Sequence, residues 1–142
     1  MIKRTLIPVL LILTSCTTFE KEVVECPKLS SPKNAAEIII NSENNRQVYI
    51  GFRGVQLLCS NDDNDIYMEA SVNIRAIRKT VVEEDYVPIK LSIVSVDTNY
   101  KEYDRDDFSY SQFLLKGSKV VDRTTDLYLK VPRGGEVFLG IK

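Results

Sequence analysis

An all-β fold is what this sequence predicts: an antiparallel β-sandwich of about seven or eight strands, with a small β-barrel as the alternative. Three observations carry that reading. Apolar and polar residues alternate with period two in several separate runs. Short clusters of Asn, Asp, Glu, Ser and Gly stand between those runs. No stretch sustains the 3.6-residue periodicity of an amphipathic helix, so no major helix is expected.

The elements follow in order along the chain. Glu37 to Ile40 is a short β-rich run, after a possible single helical turn around Ala35-Ala36-Glu37. Val48 to Leu58 is the next strand, and Gly51 or Gly54 marks a break in it. Ile66 to Ala76 alternates almost without fault. Ile66, Met68, Ala70, Val72, Ile74 and Ala76 fall on one face, and Tyr67, Glu69, Ser71, Asn73 and Arg75 on the other. Val87, Ile89, Leu91 and Ile93 alternate with polar neighbours before the phase changes at Val94 and Val96, which predicts a bulge or a stretch covered on both faces. Phe108 and Tyr110 share a strand face. Leu127, Leu129 and Val131 form another strand, Pro132-Arg133-Gly134-Gly135 a turn, and Val137 to Ile141 the returning strand. One apolar face per strand is the pattern of sheets packed on one side and wet on the other.

Composition narrows the function classes. The chain has 19 basic and 20 acidic residues and no histidine or tryptophan. Without histidine, imidazole-based general acid–base schemes and the commonest zinc ligand sets are excluded. The nearest basic cluster, Arg75, Arg78 and Lys79, reads as the solvated face and end of a strand. It is too small for a nucleic-acid footprint.

The N-terminus carries an address. Lys3 and Arg4 precede an apolar stretch, Thr5 to Leu13, that is well short of the roughly 20 residues needed to span a bilayer and suits the h-region of a signal peptide. It ends in Leu13-Thr14-Ser15-Cys16 in place of a small-residue cleavage site. This tetrapeptide resembles the lipobox of bacterial lipoproteins at all four positions; without that resemblance the segment reads as an ordinary signal peptide or a short anchor. The resemblance implies a diacylglyceryl group on the Cys16 thiol, cleavage just before Cys16, and a further acyl chain on the new amino terminus. A single acyl chain binds membranes only marginally, at about 0.8 kcal/mol per buried CH₂, so several chains on one cysteine meet the need for a stable anchor. Residues 1–15 would then be removed, 16–25 would form the lipidated end and short tether, and 26–142 a single domain. Loss of Lys3 and Arg4 leaves 17 basic against 20 acidic residues, a formal charge of −3. Fully extended at about 3.4 Å per residue, the tether reaches on the order of 30–35 Å. Thr17 and Thr18 follow the cysteine where an Asp tends to hold related lipoproteins at the inner membrane. That implies the outer membrane, facing the periplasm.

With Cys16 spent on lipid, Cys26 and Cys59 remain as an even pair in an oxidising compartment, where a disulfide is the default and two free buried thiols the alternative. The pattern of strands also resembles immunoglobulin-like or fibronectin-III-like domains of exported bacterial proteins, in architecture alone.

Three constellations invite a chemical reading. Asn61-Asp62-Asp63-Asn64-Asp65 offers alternating oxygen donors of the kind calcium takes, but Ile66 and Val72 stand where a calcium-binding EF-hand loop needs Gly and Glu. A solvated hairpin turn is the favoured reading. Asp104-Arg105-Asp106-Asp107, taken as a second acidic loop, would matter for calcium only if it met the first. Tyr100, Tyr103, Phe108, Tyr110 and Phe113 are interleaved with charges, as on surfaces that recognise sugars or proteins. No catalytic residues, metal ligands or cofactor-binding residues are nominated, and no cofactor is expected. The expected role is a non-enzymatic envelope lipoprotein that binds a protein partner as an accessory or assembly component. A glycan- or peptidoglycan-binding role through residues 100–113 is the alternative, and a hydrolase built on two carboxylates is weaker still.

Overall fold

The alternating runs form nine strands and one helical turn in the computed structural model, which describes residues 22–142. They are β1 (Val23–Val24), β2 (Leu29–Ser30), α1 (Lys33–Ala36), β3 (Glu37–Asn41), β4 (Gln47–Asp62), β5 (Asp65–Arg78), β6 (Asp85–Val96), β7 (Glu102–Leu114), β8 (Val120–Pro132) and β9 (Glu136–Ile141). The expected lipobox Leu13–Cys16, with the expected lipidation at Cys16, lies outside the described residues.

Two sheets pack face to face as a sandwich. In the first, β4 lies beside β5 and β5 beside β8, while β1 and β3 share the far edge of β4. In the second the order is β2-β9-β6-β7. Every pairing is antiparallel except β2 with β9, which is parallel, so the sandwich is mixed and not purely antiparallel. The described strands number nine. The additions to the sequence reading are β1 and β2, two residues each and too short to show a period.

Period two does what it should. On β5, Met68, Ala70, Val72, Ile74 and Ala76 point into the core, and Leu127, Leu129 and Val131 of β8 lie opposite in register. Val87, Ile89, Leu91 and Ile93 of β6, with Val137, Leu139 and Ile141 of β9, close the core from the second sheet. Both expectations for the phase change on β6 hold. A register shift falls between Ser95 and Val96. The outward Ser92 and Val96 are buried as well, and the Pro32–Ala35 segment lies on that face beside Ser92, Val94 and Phe138. The expected break in β4 is a bulge between Phe52 and Gly54. The helical turn forms at Lys33–Ala36, where the Pro32 carbonyl accepts the N–H groups of Ala35 and Ala36. At the β8–β9 turn Gly134 has φ +78°, a conformation L side chains rarely adopt.

The sandwich does not close into a barrel. β7 and β8, the facing edges of the two sheets, are bridged by side chains in place of a backbone ladder. Asp104 accepts the Lys130 N–H at 2.8 Å and Asp106 accepts the Tyr128 N–H at 3.0 Å. Ser95 Oγ donates to the Lys130 carbonyl at 2.6 Å. The Tyr128 N–H and both backbone groups of Lys130 on the outer edge of β8 are thereby satisfied without another strand.

Candidate functional site

The acidic stretches occupy separate structural roles. Asn61–Asp65 forms the β4–β5 hairpin turn, with Asp63 at φ +53°. Its oxygens face cations and a phenol: Arg133 donates to Asn61 Oδ1 at 3.0 Å, Lys130 Nζ stands 3.8 Å from Asp62, and the Tyr103 hydroxyl donates to Asp65 at 2.8 Å. Asp104–Asp107 is not a loop, as the sequence suggested, but part of strand β7. The run of charge hid the alternation: Asp104 and Asp106 turn to the seam, Arg105 and Asp107 to solvent. Among the described residues, no three His, Cys, Asp or Glu side chains converge as metal ligands.

The nearest approach to a reactive cluster is on the outer face of the second sheet. Ser92 Oγ donates to Asp107 at 2.5 Å and accepts from Arg105 Nη1 at 2.7 Å. The Ser92 hydrogen bond, with Lys142 and Arg105 nearby, holds the Asp107 carboxyl below the usual range, which makes it a weak base. Arg105 cannot take a proton. This arrangement orients a hydroxyl but does not activate it.

The five aromatics of residues 100–113 are dispersed. Phe108 and Tyr110 pack against the core, with the Arg123 guanidinium 4.1 Å from the centre of the Tyr110 ring. Phe113 leaves that face and tilts against Tyr86, ring centres 5.1 Å apart. Tyr103 is tied to Asp65, and Tyr100 stands in a loop at φ +60°. They make no continuous exposed row.

Arg78 overturns another reading. It is not on a solvated strand end but 3% exposed. Its guanidinium donates to the carbonyls of Ser118, Glu83 and Leu115 at 2.9, 2.8 and 2.7 Å. Arg75 does face solvent, paired to Asp122 at 2.8 and 2.9 Å. Cys26 and Cys59 are joined in the structure, Cα atoms 5.3 Å apart, beside the β1–β4 pairing.

The most developed surface feature was not singled out from sequence. On the solvent face of the first sheet, Ile39, Tyr49, Ile77 and Val120 stand directly opposite one another across β3, β4, β5 and β8. Ile39 is 67% exposed and Val120 44%. Ile39, Tyr49 and Ile77 line a cavity of about 420 Å³ together with Arg46, Lys79 and Thr80. Arg46 stands 3.7 Å from Glu83, while Lys79 makes no ion pair among the described residues. Partial burial in the row, with a hydrogen bond to Glu37, pushes the Tyr49 phenol above its ordinary pKa. It therefore stays neutral at physiological pH. A ladder of Arg75–Asp122 and Asn73–Thr124 separates this row from a second group at the other end of the face, where Tyr67 stacks on Tyr128. A sequence signal existed in the adjacent apolar residues Ile38-Ile39-Ile40, Val48-Tyr49-Ile50 and Val120-Val121, which supply both faces of a strand end.

No protein-family model, curated protein or solved structure was found to match this chain.

Proposed function

We propose that this chain is a lipid-anchored envelope protein, tethered through Cys16, whose β-sandwich binds another protein as a non-enzymatic accessory or assembly component. The observation that carries the binding role is the Ile39–Tyr49–Ile77–Val120 row: contiguous apolar side chains on a solvent face, with cations lining the adjoining cavity. Such exposed apolar groups mark contact sites. Arg46 and Lys79 favour a partner that brings carboxylates around an apolar anchor. Placement supports the same reading. β1 falls within the expected tether and pairs with β4 at Ser60, whereas the row crosses β4 at Tyr49. At about 3.3 Å per residue the two points are about 35 Å apart, which keeps the row clear of a bilayer at the tether end. Thr17 and Thr18 favour the outer membrane, facing the periplasm. The dispersed aromatics of residues 100–113 lend no support to a glycan surface.

A photo-crosslinking residue at Ile39 of the full chain, expressed in cells, tests this. A discrete adduct is expected that is absent from the same probe at Ser109 and lost when Ile77→Asp is added. Identical adducts from Ile39 and Ser109 would overturn the assignment. Cys16→Ser should release the protein from the membrane fraction.

A further inference from the structure

β4 is 16 residues long, and among the described residues its side away from β5 is paired only near its ends. β3 covers Gln47–Gly51 and β1 covers Cys59–Ser60. Among the described residues no strand pairs with Phe52–Leu58 on that side. The chain between β1 and β3 departs to the other sheet, where β2 joins β9. At about 3.3 Å per residue the gap is about 23 Å long, the length of one ordinary strand.

Among the described residues, the backbone groups that face this gap have no partner strand. Asn61 donates its backbone N–H to the Glu22 carbonyl on the β1 side. Backbone groups alternate sides along a strand, so Leu57 and Val55 present theirs in the same direction. Phe52, Val55 and Leu57 lean on the core but remain half-exposed. A methyl group added at Gly54 would meet nothing within 4 Å.

We propose that Phe52–Leu58 is a slot for an extended segment of another protein, which adds as a strand between β1 and β3. The edge dictates its chemistry. Only an extended backbone matches the alternating N–H and C=O groups. Its inward positions must be apolar to cover Phe52, Val55 and Leu57. An acidic side chain suits Arg53, the one charged residue of the stretch, which is exposed and makes no ion pair among the described residues. A second copy cannot fill the slot with its own Phe52–Leu58. Antiparallel pairing centred on Val55 would place the incoming β1 where β3 stands, because Cys59 of one copy would face Gly51 of the other. The slot lies on the sheet edge, apart from the apolar row, and extends the binding role beyond it.

The test is fluorescence anisotropy with the full chain and a labelled nonapeptide that alternates valine and threonine, with one threonine replaced by aspartate. Saturable binding is expected, weakened at least tenfold by Val55→Pro or Leu57→Pro. Each removes an N–H directed at the open edge, where proline is tolerated, and thermal melting verifies that the domain remains folded. Should either variant unfold, two further measurements decide. A probe N-methylated at alternate residues should bind at least tenfold more weakly. Arg53→Glu should weaken the aspartate probe and strengthen its lysine counterpart. Ile77→Asp should leave probe binding unchanged, which separates this slot from the apolar row. Three results would overturn the proposal: no saturable binding, undiminished binding to the folded proline variants, or a concentration-dependent dimer that those variants abolish.

Discussion

Replacing Arg78 with methionine tests how the two loops at one end of the sandwich are held. Arg78 ends β5 with its side chain turned inward, and its guanidinium gathers carbonyls from both neighbouring loops, Glu83 in one and Leu115 and Ser118 in the other. The loops also meet directly, Gly117 donating to the Val81 carbonyl at 2.8 Å. Methionine keeps much of the volume but leaves three carbonyls without their donor. Hydrogen bonds to a charged group contribute about 1.5–3 kcal/mol each. Relief of the desolvation cost of a buried cation offsets part of that loss, and water reaches the outer carbonyls once the loops loosen. The expected net loss is about 3–5 kcal/mol. With a urea dependence of about 2 kcal/mol per molar, the unfolding midpoint should fall by about 2 M. Hydrogen exchange should accelerate first at Gly117 and in residues 79–84. Arg78→Lys, which keeps the charge but loses the fork, should fall between the two. A loss below about 1 kcal/mol would refute the reasoning, since it would mean that water already serves those carbonyls.

Two further outcomes are expected. Asp85 is 3% exposed, and burial by itself raises its pKa. Hydrogen bonds from Ser42 and from the N–H groups of Tyr86 and Asn44, together with the Arg78 charge, outweigh that and hold the carboxyl below its ordinary value. A depressed folded pKa contributes stability that is present above the unfolded value of about 3.9 and is lost as pH falls through the folded one. Asp107 and Asp122 are shifted in the same direction. Urea midpoints should therefore drop on the acid side of about pH 4, with a shallower drop in Asp85→Asn; parallel curves would exclude Asp85 as a contributor. The Cys26–Cys59 bridge spans a sequence separation of 33. On the chain-entropy account its removal by paired serine substitution should cost about 3–4 kcal/mol. Alkylation of either cysteine in the unreduced, denatured protein would show that the bridge is absent.

The strands legible in the sequence were those with one buried face. Ile66 to Ala76 declared its inward side residue by residue, and the register with β8 repeats it. β7 was harder to read because its charged half, Glu102 to Asp107, looks like a loop until Asp104 and Asp106 are seen to accept N–H groups from a strand of the other sheet. Arg78 misled for the same reason. A cation at a strand end is normally solvated, and only the arrival of residues 83, 115 and 118 around it supplies three carbonyl acceptors. The apolar row escaped notice because its members come from four strands.

The period of two belongs to the covalent chain, and with it came the all-β class, the inward faces of β5, β6 and β8, and the turns at Asn61–Asp65 and Pro132–Gly135. These follow from local geometry, since neighbouring side chains of a strand must point to opposite faces whatever lies across from them. Register and partnership do not. Tyr49 meets Ile77, and Ile77 meets Val120, through hydrogen-bond ladders between distant segments, and the described residues leave a stretch of β4 open because the chain before β3 crosses to the other sheet. Those surfaces arise from which edges found one another as the core closed. No short window of sequence contains that choice.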